Sequence, residues 1–443
     1  MNKRGLIIDI FAGGGGASIG VSKAMKVPID IAVNHDPDAI LMHKTNHPET
    51  IHITEDIFKV DMLKYTKGHH VSLMWASPDC TSHSKAKGGQ PREKGLRILP
   101  WAVYKHAKAI LPDVILMENV EEIQDWGPLD DEGHPIKERK GEDYKKFINS
   151  MKELGYDFES KELIAADYGA PTTRNRWYAV FRRDGKEIVW PEATHNKTGT
   201  DGLEKWKPIS ECIDWHDLGS SIFTRKKPLK EKTLNRIARG IEKFIINDDN
   251  PYFLPDDIAS AFLIQYHGET KSGYVRGQSL NEPIKTIDTS NRYGLVTAFI
   301  TRFYKSGTGQ TVKEPIHTIT TSSGHFGLVS AFLIKYYGNG IGQTVNEPIG
   351  TIVTKDRFGL VTVMIKGEEY QIVDIWFRML NPEELKLGQG FPKDYIIDVD
   401  YTGKKYPKSK RVERIGNSVV PIMAEVLARA NKPEIYINAQ DVG

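Results

Sequence analysis

The sequence predicts an α/β fold in which a parallel sheet is covered by helices on both faces and a second, mostly β region is inserted into the chain. Three observations predict it. Short apolar runs alternate with helix-like stretches through residue 190. The first of those runs ends in a glycine-rich turn, Gly13-Gly14-Gly15-Gly16. Between residues 261 and 363 a unit of strands and turns occurs three times.

The apolar runs lie at 6–10, 30–33, 71–75, 114–117 and 176–181, and read as buried strands. Helix-like stretches at 18–25, 37–46, 99–110 and 144–154 separate them, the last carrying Phe147, Ile148, Met151 and Leu154 on one face. Strands separated by helices argue for a parallel sheet. Ligands of such sheets bind beyond the carboxyl ends of the strands. Asp9, Cys80 and Glu118 each fall at such an end, so three distant segments are expected to meet at one cleft.

Composition narrows the class. A chain of 443 residues allows one large or two ordinary domains. Its 39% hydrophobic and 27% charged content is that of a soluble globular protein. The formal net charge of +2 decides little, because a polyanion needs only a local positive face. Two cysteines exclude a disulfide framework, and no Cys/His cluster of metal type is present, so no metal and a reducing cytoplasm are expected. The apolar start imitates a signal peptide until Asp9 and the glycines interrupt it, and no run reaches transmembrane length. No membrane partner is expected.

Six motifs carry the chemistry. They are Asp9-Ile10-Phe11-Ala12-Gly13, Ala76-Ser77-Pro78-Asp79-Cys80, Met117-Glu118-Asn119-Val120, Tyr168 to Arg176, Arg378 to Pro392, and Gly416-Asn417-Ser418-Val419-Val420-Pro421. In this order they resemble the DNA (cytosine-5) methyltransferase family, in a divergent bacterial or phage-type branch. The resemblance implies a Rossmann-like S-adenosylmethionine-dependent methyltransferase domain with an inserted, mostly β target-recognition domain. It implies methyl transfer from S-adenosylmethionine to carbon 5 of a flipped cytosine in duplex DNA, leaving S-adenosylhomocysteine. The expected boundaries are 1–190 plus 415–443 for catalysis and 191–414 for recognition.

Site residues follow from the same resemblance. Cytosine is a poor carbon nucleophile until a thiolate adds to its carbon 6, and Cys80 would supply that thiolate. A free thiol with a pKa near ~8.5 needs nearby donors for this. Glu118 would contact ring N3 and the exocyclic amine as general acid. Arg176 would hold the cytosine carbonyl, and Arg174 the active-site backbone or a phosphate, both on one face if strand alternation holds. For the cofactor, Asp9, Phe11, Ala12, Gly13 and Gly15 form the loop, with Phe11 against adenine. Asn34 and His35 follow the second strand, where the family has Glu; Asn34 would meet the ribose alone or with help from Asp36. Asp56 reads either as the adenine contact or as a solvated loop acid. Pro78 and Asn417 complete the set. Two departures stand out: Asp79 precedes the nucleophile where the family has proline, and Thr172 replaces a Gln. Cys212, outside any motif, reads as a buried structural thiol.

Ser84, Lys85 and Lys87 lie in a Gly- and Lys-bearing loop that fits a lid over DNA. The repeats show Glu282-Pro283-Ile284, Glu314-Pro315-Ile316 and Glu347-Pro348-Ile349, at spacings of 32 and 33 residues. They read either as the base-reading region or as a stacking scaffold, with contacts then made by Arg225, Lys226 and Lys227. Double-stranded DNA is the expected partner, a cognate restriction endonuclease a candidate one, and a monomer in a bacterial or phage-infected cytoplasm the expected state. A tRNA cytosine-5 methyltransferase and a non-catalytic DNA-binding relative are the alternatives.

Overall fold

The computed structural model describes residues 3–79, 98–254, 259–266, 276–302, 332–335, 343–344, 358–359, 362–365, 368–433 and 436–437. Cys80, Ser84, Lys85, Lys87 and most of the second and third repeat copies lie outside them. The chain divides into two compact units, one of Met1–Lys207, Pro283–Ser290 and Leu385–Gly443, the other of Pro208–Glu282 and Asn291–Glu384.

The first unit is built on seven strands: β1 (Leu6–Ile10), β2 (Ile31–Asn34), β3 (Ile51–Thr54), β4 (Val71–Ala76), β5 (Val114–Asn119), β6 (Asp157–Ile164) and β7 (Asn175–Arg182). Their order in the sheet is β3-β2-β1-β4-β5-β7-β6. The first five are parallel. β7 runs antiparallel to both β5 and β6, which corrects the expectation of a purely parallel sheet. β6 reads DFESKELI, half exposed throughout, and an edge strand of that kind lacks an apolar run to announce it. β4 and β5, buried along their whole length, sit centrally.

Helices cover both faces. On one side α4 (Leu99–Ile110) and α5 (Glu142–Glu153) place Ala102, Val103, Phe147 and Met151 over Met74, Ile115 and Phe181. On the other, α1 (Gly16–Met25) packs with α8 (Pro421–Ala430), so that Val21, Met25, Met423 and Leu427 share a core with Ile7, Leu73 and Leu116. Pro421 opens α8 at the first turn, where its missing N–H leaves no bond unmade. α2 (Pro37–Asn46) is capped by Asp36, whose Oδ1 accepts from the Asp38 and Ala39 amides at 2.9 and 3.4 Å. The order reverses between β1 and β4, the switch point at which open α/β sheets bind their ligands.

The second unit is a twisted antiparallel sheet ordered β8 (Ser220–Ser221), β14 (Glu368–Met379), β12 (Tyr293–Arg302), β10 (Ala259–Gln265), β9 (Tyr252–Phe253), with β11 (Gly277–Ser279) also on β10 and β13 (Thr362–Ile365) also on β14. The amphipathic helix α6 (Glu231–Ile241) buries Ile237 and Ile241 against Phe262, Val296 and Ala298. Gly240 is needed at that contact, because a Cβ there would come 2.1 Å from the Phe262 ring. The boundary between the first two repeat copies falls inside β12, so the end of one copy and the start of the next form a single strand.

The compact units depart from the boundaries expected at 190 and 415. Residues 191–207, 283–290 and 385–414 belong to the first unit. Hydrogen bonds within that unit explain why. Trp206 Nε1 donates to Asp167 at 2.9 Å, and the Ile284 amide donates to Pro171 O at 2.9 Å while Ile284 O accepts from the Thr173 amide at 2.9 Å. Tyr395 OH donates to Gly14 O at 2.7 Å.

Candidate active site

Four of the expected residues share one edge of the sheet. Register puts Ile10 beside Ala76, Ala76 beside Met117 and Glu118 beside Tyr178, so Asp9, Pro78, Glu118 and Arg176 lie at or next to adjoining strand ends. Arg176 Nε stands 3.3 Å from Glu118 Oε1, with both side chains nearly buried, at 13% and 9% exposure. The contact is an ion pair without hydrogen-bond alignment, for Arg176 Nε finds no aligned acceptor. Asn119 Nδ2 donates to Pro78 O at 3.0 Å and its Oδ1 accepts from the Val120 amide, which ties the loop entering residue 80 to the end of β5. Asp79 is exposed. Arg174 serves other partners: it is 6% exposed, and its Nη1 donates to Ile287 O at 3.3 Å and Gly416 O at 3.2 Å. It precedes β7, so strand alternation does not govern it, and these two acceptors are backbone carbonyls.

The glycine turn after β1 is walled on one side by the C-terminal part of the unit. A Cβ on Gly15 would come 2.0 Å from Tyr395 OH, and one on Gly16 2.0 Å from Val419 O. Gly15 also takes φ +92°, which an L side chain rarely adopts. Phe11 adopts φ 63° although it is not glycine, a strained geometry of the kind that clusters at ligand sites. A Cβ on Gly13, by contrast, would meet nothing within 4 Å. Beneath the turn, Asp9 is 1% exposed, and burial raises its carboxyl to about 7. Ser18 Oγ donates to Asp9 Oδ2 at 2.6 Å, while Asp9 Oδ1 is buried without a partner.

A family model described as C-5 cytosine-specific DNA methylase matches residues 6–432. The chain belongs to that family. It is similar to the type II methyltransferase M1.HphI of Haemophilus parahaemolyticus, 26% identical over 61% of this chain and 70% of the relative. It is also similar to M.AquIA of Picosynechococcus, 29% identical over 43% and 76% respectively. Among solved structures, a DNMT2 variant of Spodoptera frugiperda superposes with a TM-score of 0.50 at 14% identity, covering 97% of this chain and 100% of that one, a likeness of fold alone. The methylase transfers a methyl group from S-adenosylmethionine to carbon 5 of cytosine, and double-stranded DNA is its substrate.

The turn of this methylase fits such a cofactor. A Cβ on Gly13 would meet nothing within 4 Å, and Asp9, on the strand that leads into the turn, keeps its Oδ1 buried and without a hydrogen-bond partner. Other expected contacts stand differently. The Asn34 carboxamide is committed to backbone: Nδ2 donates to Ala12 O at 2.9 Å and Oδ1 accepts from the Asp36 amide at 2.8 Å. Asp36 pairs with Arg414 Nη2 at 2.6 Å besides capping α2. His35, Asp56 and Asn417 are exposed, and Asp56 Oδ1 accepts from the Phe58 amide at 3.0 Å. Ser18, His43, Tyr395 and Arg414, which lie around the turn, belong to none of the motifs, whereas Gln389 and Ser418 lie there inside the last two motifs.

In the second unit, Lys226 and Lys227 are exposed and Arg225 half-buried. They lead into α6, where Lys232, Arg236 and Arg239 recur at i, i+4 and i+7 and so lie along one stripe, with Lys243 in the π-helical turn Glu242–Ile246 that follows. Arg236 lies over the Tyr266 ring at 4.9 Å. Among the described residues no ion pair engages Lys226, Lys227, Lys232 or Arg239. Cys212 is 8% exposed, and burial pushes its thiol up to about 12, in keeping with a structural role. No helix among the described residues is long and apolar enough to cross a membrane, and none of their His, Cys, Asp and Glu side chains form a group able to hold a metal.

Proposed function

We propose that Cys80 is the nucleophile of this methylase and that Glu118 and Arg176 hold the flipped cytosine beside it. The Glu118–Arg176 pair at the end of β5 carries this reading, because Asn119, the next residue, holds the carbonyl of Pro78, two places before Cys80 in the sequence. Glu118 places a carboxyl where ring N3 can share a proton as the thiolate adds to carbon 6. The guanidinium of Arg176 supplies donors for the cytosine carbonyl. When bound, the cofactor supplies an electrophilic methyl group on a sulfonium. Asp9, Phe11, Ala12, Gly13 and Gly15 hold it, with His35, Asp56, Pro78 and Asn417 around its adenosine; Asn34 shapes the turn from behind. Arg174 positions the closing motif.

The second unit grips and reads the duplex, with the basic residues from Arg225 through Lys243 against phosphates, and Ser84, Lys85 and Lys87 closing over the extruded base, whose removal from the stack costs a few kcal/mol. A cognate restriction endonuclease and a monomeric state in the cytoplasm complete the proposal. Two measurements test it. Cys80→Ser removes turnover and the covalent trap on 5-fluorocytosine duplex while leaving DNA binding intact; a trap in the variant would end the assignment. Replacing Lys232, Arg239 and Lys243 by Gln lowers the slope of log affinity for duplex DNA against log salt by about 2 to 3, since each phosphate contact contributes about 0.9. An unchanged slope would place the DNA elsewhere.

A further inference from the structure

The acid beneath the cofactor turn is the end of a chain of titratable groups that the methyl-transfer chemistry does not use. Ser18 Oγ, on the first turn of α1, lies 2.6 Å from Asp9 Oδ2 and 2.8 Å from His43 Nε2. His43 Nδ1 lies 2.8 Å from His52 Nε2 on β3. Asp9, Ser18 and His43 are 1%, 0% and 0% exposed, whereas His52 is only partly buried, so the chain runs from the core of the cofactor turn to the protein edge. Burial keeps His43 well below the usual imidazole range, and His47 falls to about 4 for the same reason. The groups facing this acid are Ser18 from α1, then His43 of α2 and His47 at its C-terminal cap, with His47 4.4 Å from His43 between ring centres. Beyond them come His52 of β3, lowered by burial and then by Lys44, and Tyr395, whose hydroxyl is pushed upward by burial and then by Asp9. Among the described residues Asp9 makes no ion pair, and its Oδ1 has no donor. A buried acid without a cation is costly when ionised.

We propose that Asp9 is the counter-charge for the sulfonium of the cofactor, and that Ser18, His43 and His52 are the path by which its carboxyl exchanges a proton with solvent. This rests on the reading that the turn holds S-adenosylmethionine. With the carboxyl protonated, Asp9 donates to Ser18 Oγ, Ser18 to His43 Nε2, and His43 Nδ1–H to His52 Nε2. Arrival of the cation ionises Asp9. Its proton passes to Ser18, the Ser18 proton to His43 Nε2, and the His43 Nδ1 proton to His52 Nε2; His52 then gives its Nδ1 proton to water. Every link keeps one proton and reverses direction, so one proton leaves and none is created. The product of methyl transfer lacks the sulfonium charge, and the same path returns the proton as Asp9 is left without its partner.

The sign follows from the raised carboxyl. Below about pH 7 the proton must be expelled before the cation is matched, so affinity for S-adenosylmethionine rises with pH and levels off above it. Calorimetry of the wild-type protein at pH 7, in two buffers of different ionisation enthalpy, reads this directly. S-adenosylmethionine is expected to release about half a proton more than S-adenosylhomocysteine. The ratio of their affinities is expected to grow severalfold, towards about tenfold, from pH 6 to pH 8. Equal proton counts for the two ligands would overturn the proposal. Ser18→Ala removes the donor to Asp9, pushes its carboxyl higher and increases the release at pH 7; an unchanged count in that variant would remove Ser18 and the path. Failure of either ligand to bind the wild-type protein would instead sink the reading of the turn as the cofactor site.

Discussion

The two acids of the site sit on the same sheet edge in opposite electrostatic company. Glu118 has a guanidinium 3.3 Å away. Asp9 has a serine and a file of neutral histidines and, among the described residues, no cation. Each environment suits the charge of what comes to it. In the proposed reading Glu118 meets a neutral flipped base, and its cation, Arg176, is built into the protein. The cofactor brings its own positive charge, so beside Asp9 the protein leaves that place to the ligand. If both proposed roles hold, one fold edge handles a neutral and a cationic reactant by placing an arginine at one acid and withholding it at the other.

That contrast can be broken from either end. Glu118→Gln keeps the shape but removes the charge opposite Arg176; turnover under saturating cofactor is expected to fall by about 10²- to 10³-fold. The Michaelis constant for S-adenosylmethionine should stay within about twofold, and a change confined to that constant would mean that the two acids are not separate in function. Tyr395→Phe acts at the other end and more weakly. It deletes the hydrogen bond to Gly14 O without creating a cavity, a loss of about 1 kcal/mol. The affinity for S-adenosylmethionine should weaken about fivefold with turnover unchanged, read by titration and steady-state kinetics. Equal loss in turnover would show that the wall of the turn also shapes the base pocket. Smallest is the response of the loaded protein to acid: because the cation holds Asp9 ionised, its thermal midpoint should exceed that of the cofactor-free protein by more at pH 8 than at pH 6.

Much of this was legible in the residues. β4 and β5 read as buried strands because every position faces a helix layer, and the motifs at their ends marked the edge where ligands meet. The turn from Asp9 to Gly16 was legible because only glycine tolerates a wall as near as Tyr395 and Val419. What could not be read were partners brought from far along the chain. Tyr395 lies 381 residues from Gly14, and Arg414 meets Asp36 across a similar distance, so no local spacing connects them. β6 was silent because an edge strand with charged residues on its open side lacks an apolar run. The first compact unit extends past residue 190 for a related reason. Residues 191–207 carry few apolar side chains, and backbone and indole hydrogen bonds attach them to the first unit.

The attachment of Pro283–Ser290 beneath Arg174 bears on any attempt at grafting. The polypeptide leaves the catalytic unit after Lys207, re-enters for eight residues, leaves again after Ser290 and returns at Leu385. Excising 208–384 as one cassette would therefore pull a plug from the donor, exposing Ile284 and Ile287, now 0% and 1% exposed, and leaving the Arg174 guanidinium short of one carbonyl. A transplant of sequence preference between relatives should splice around this octapeptide and leave the host's own copy in place.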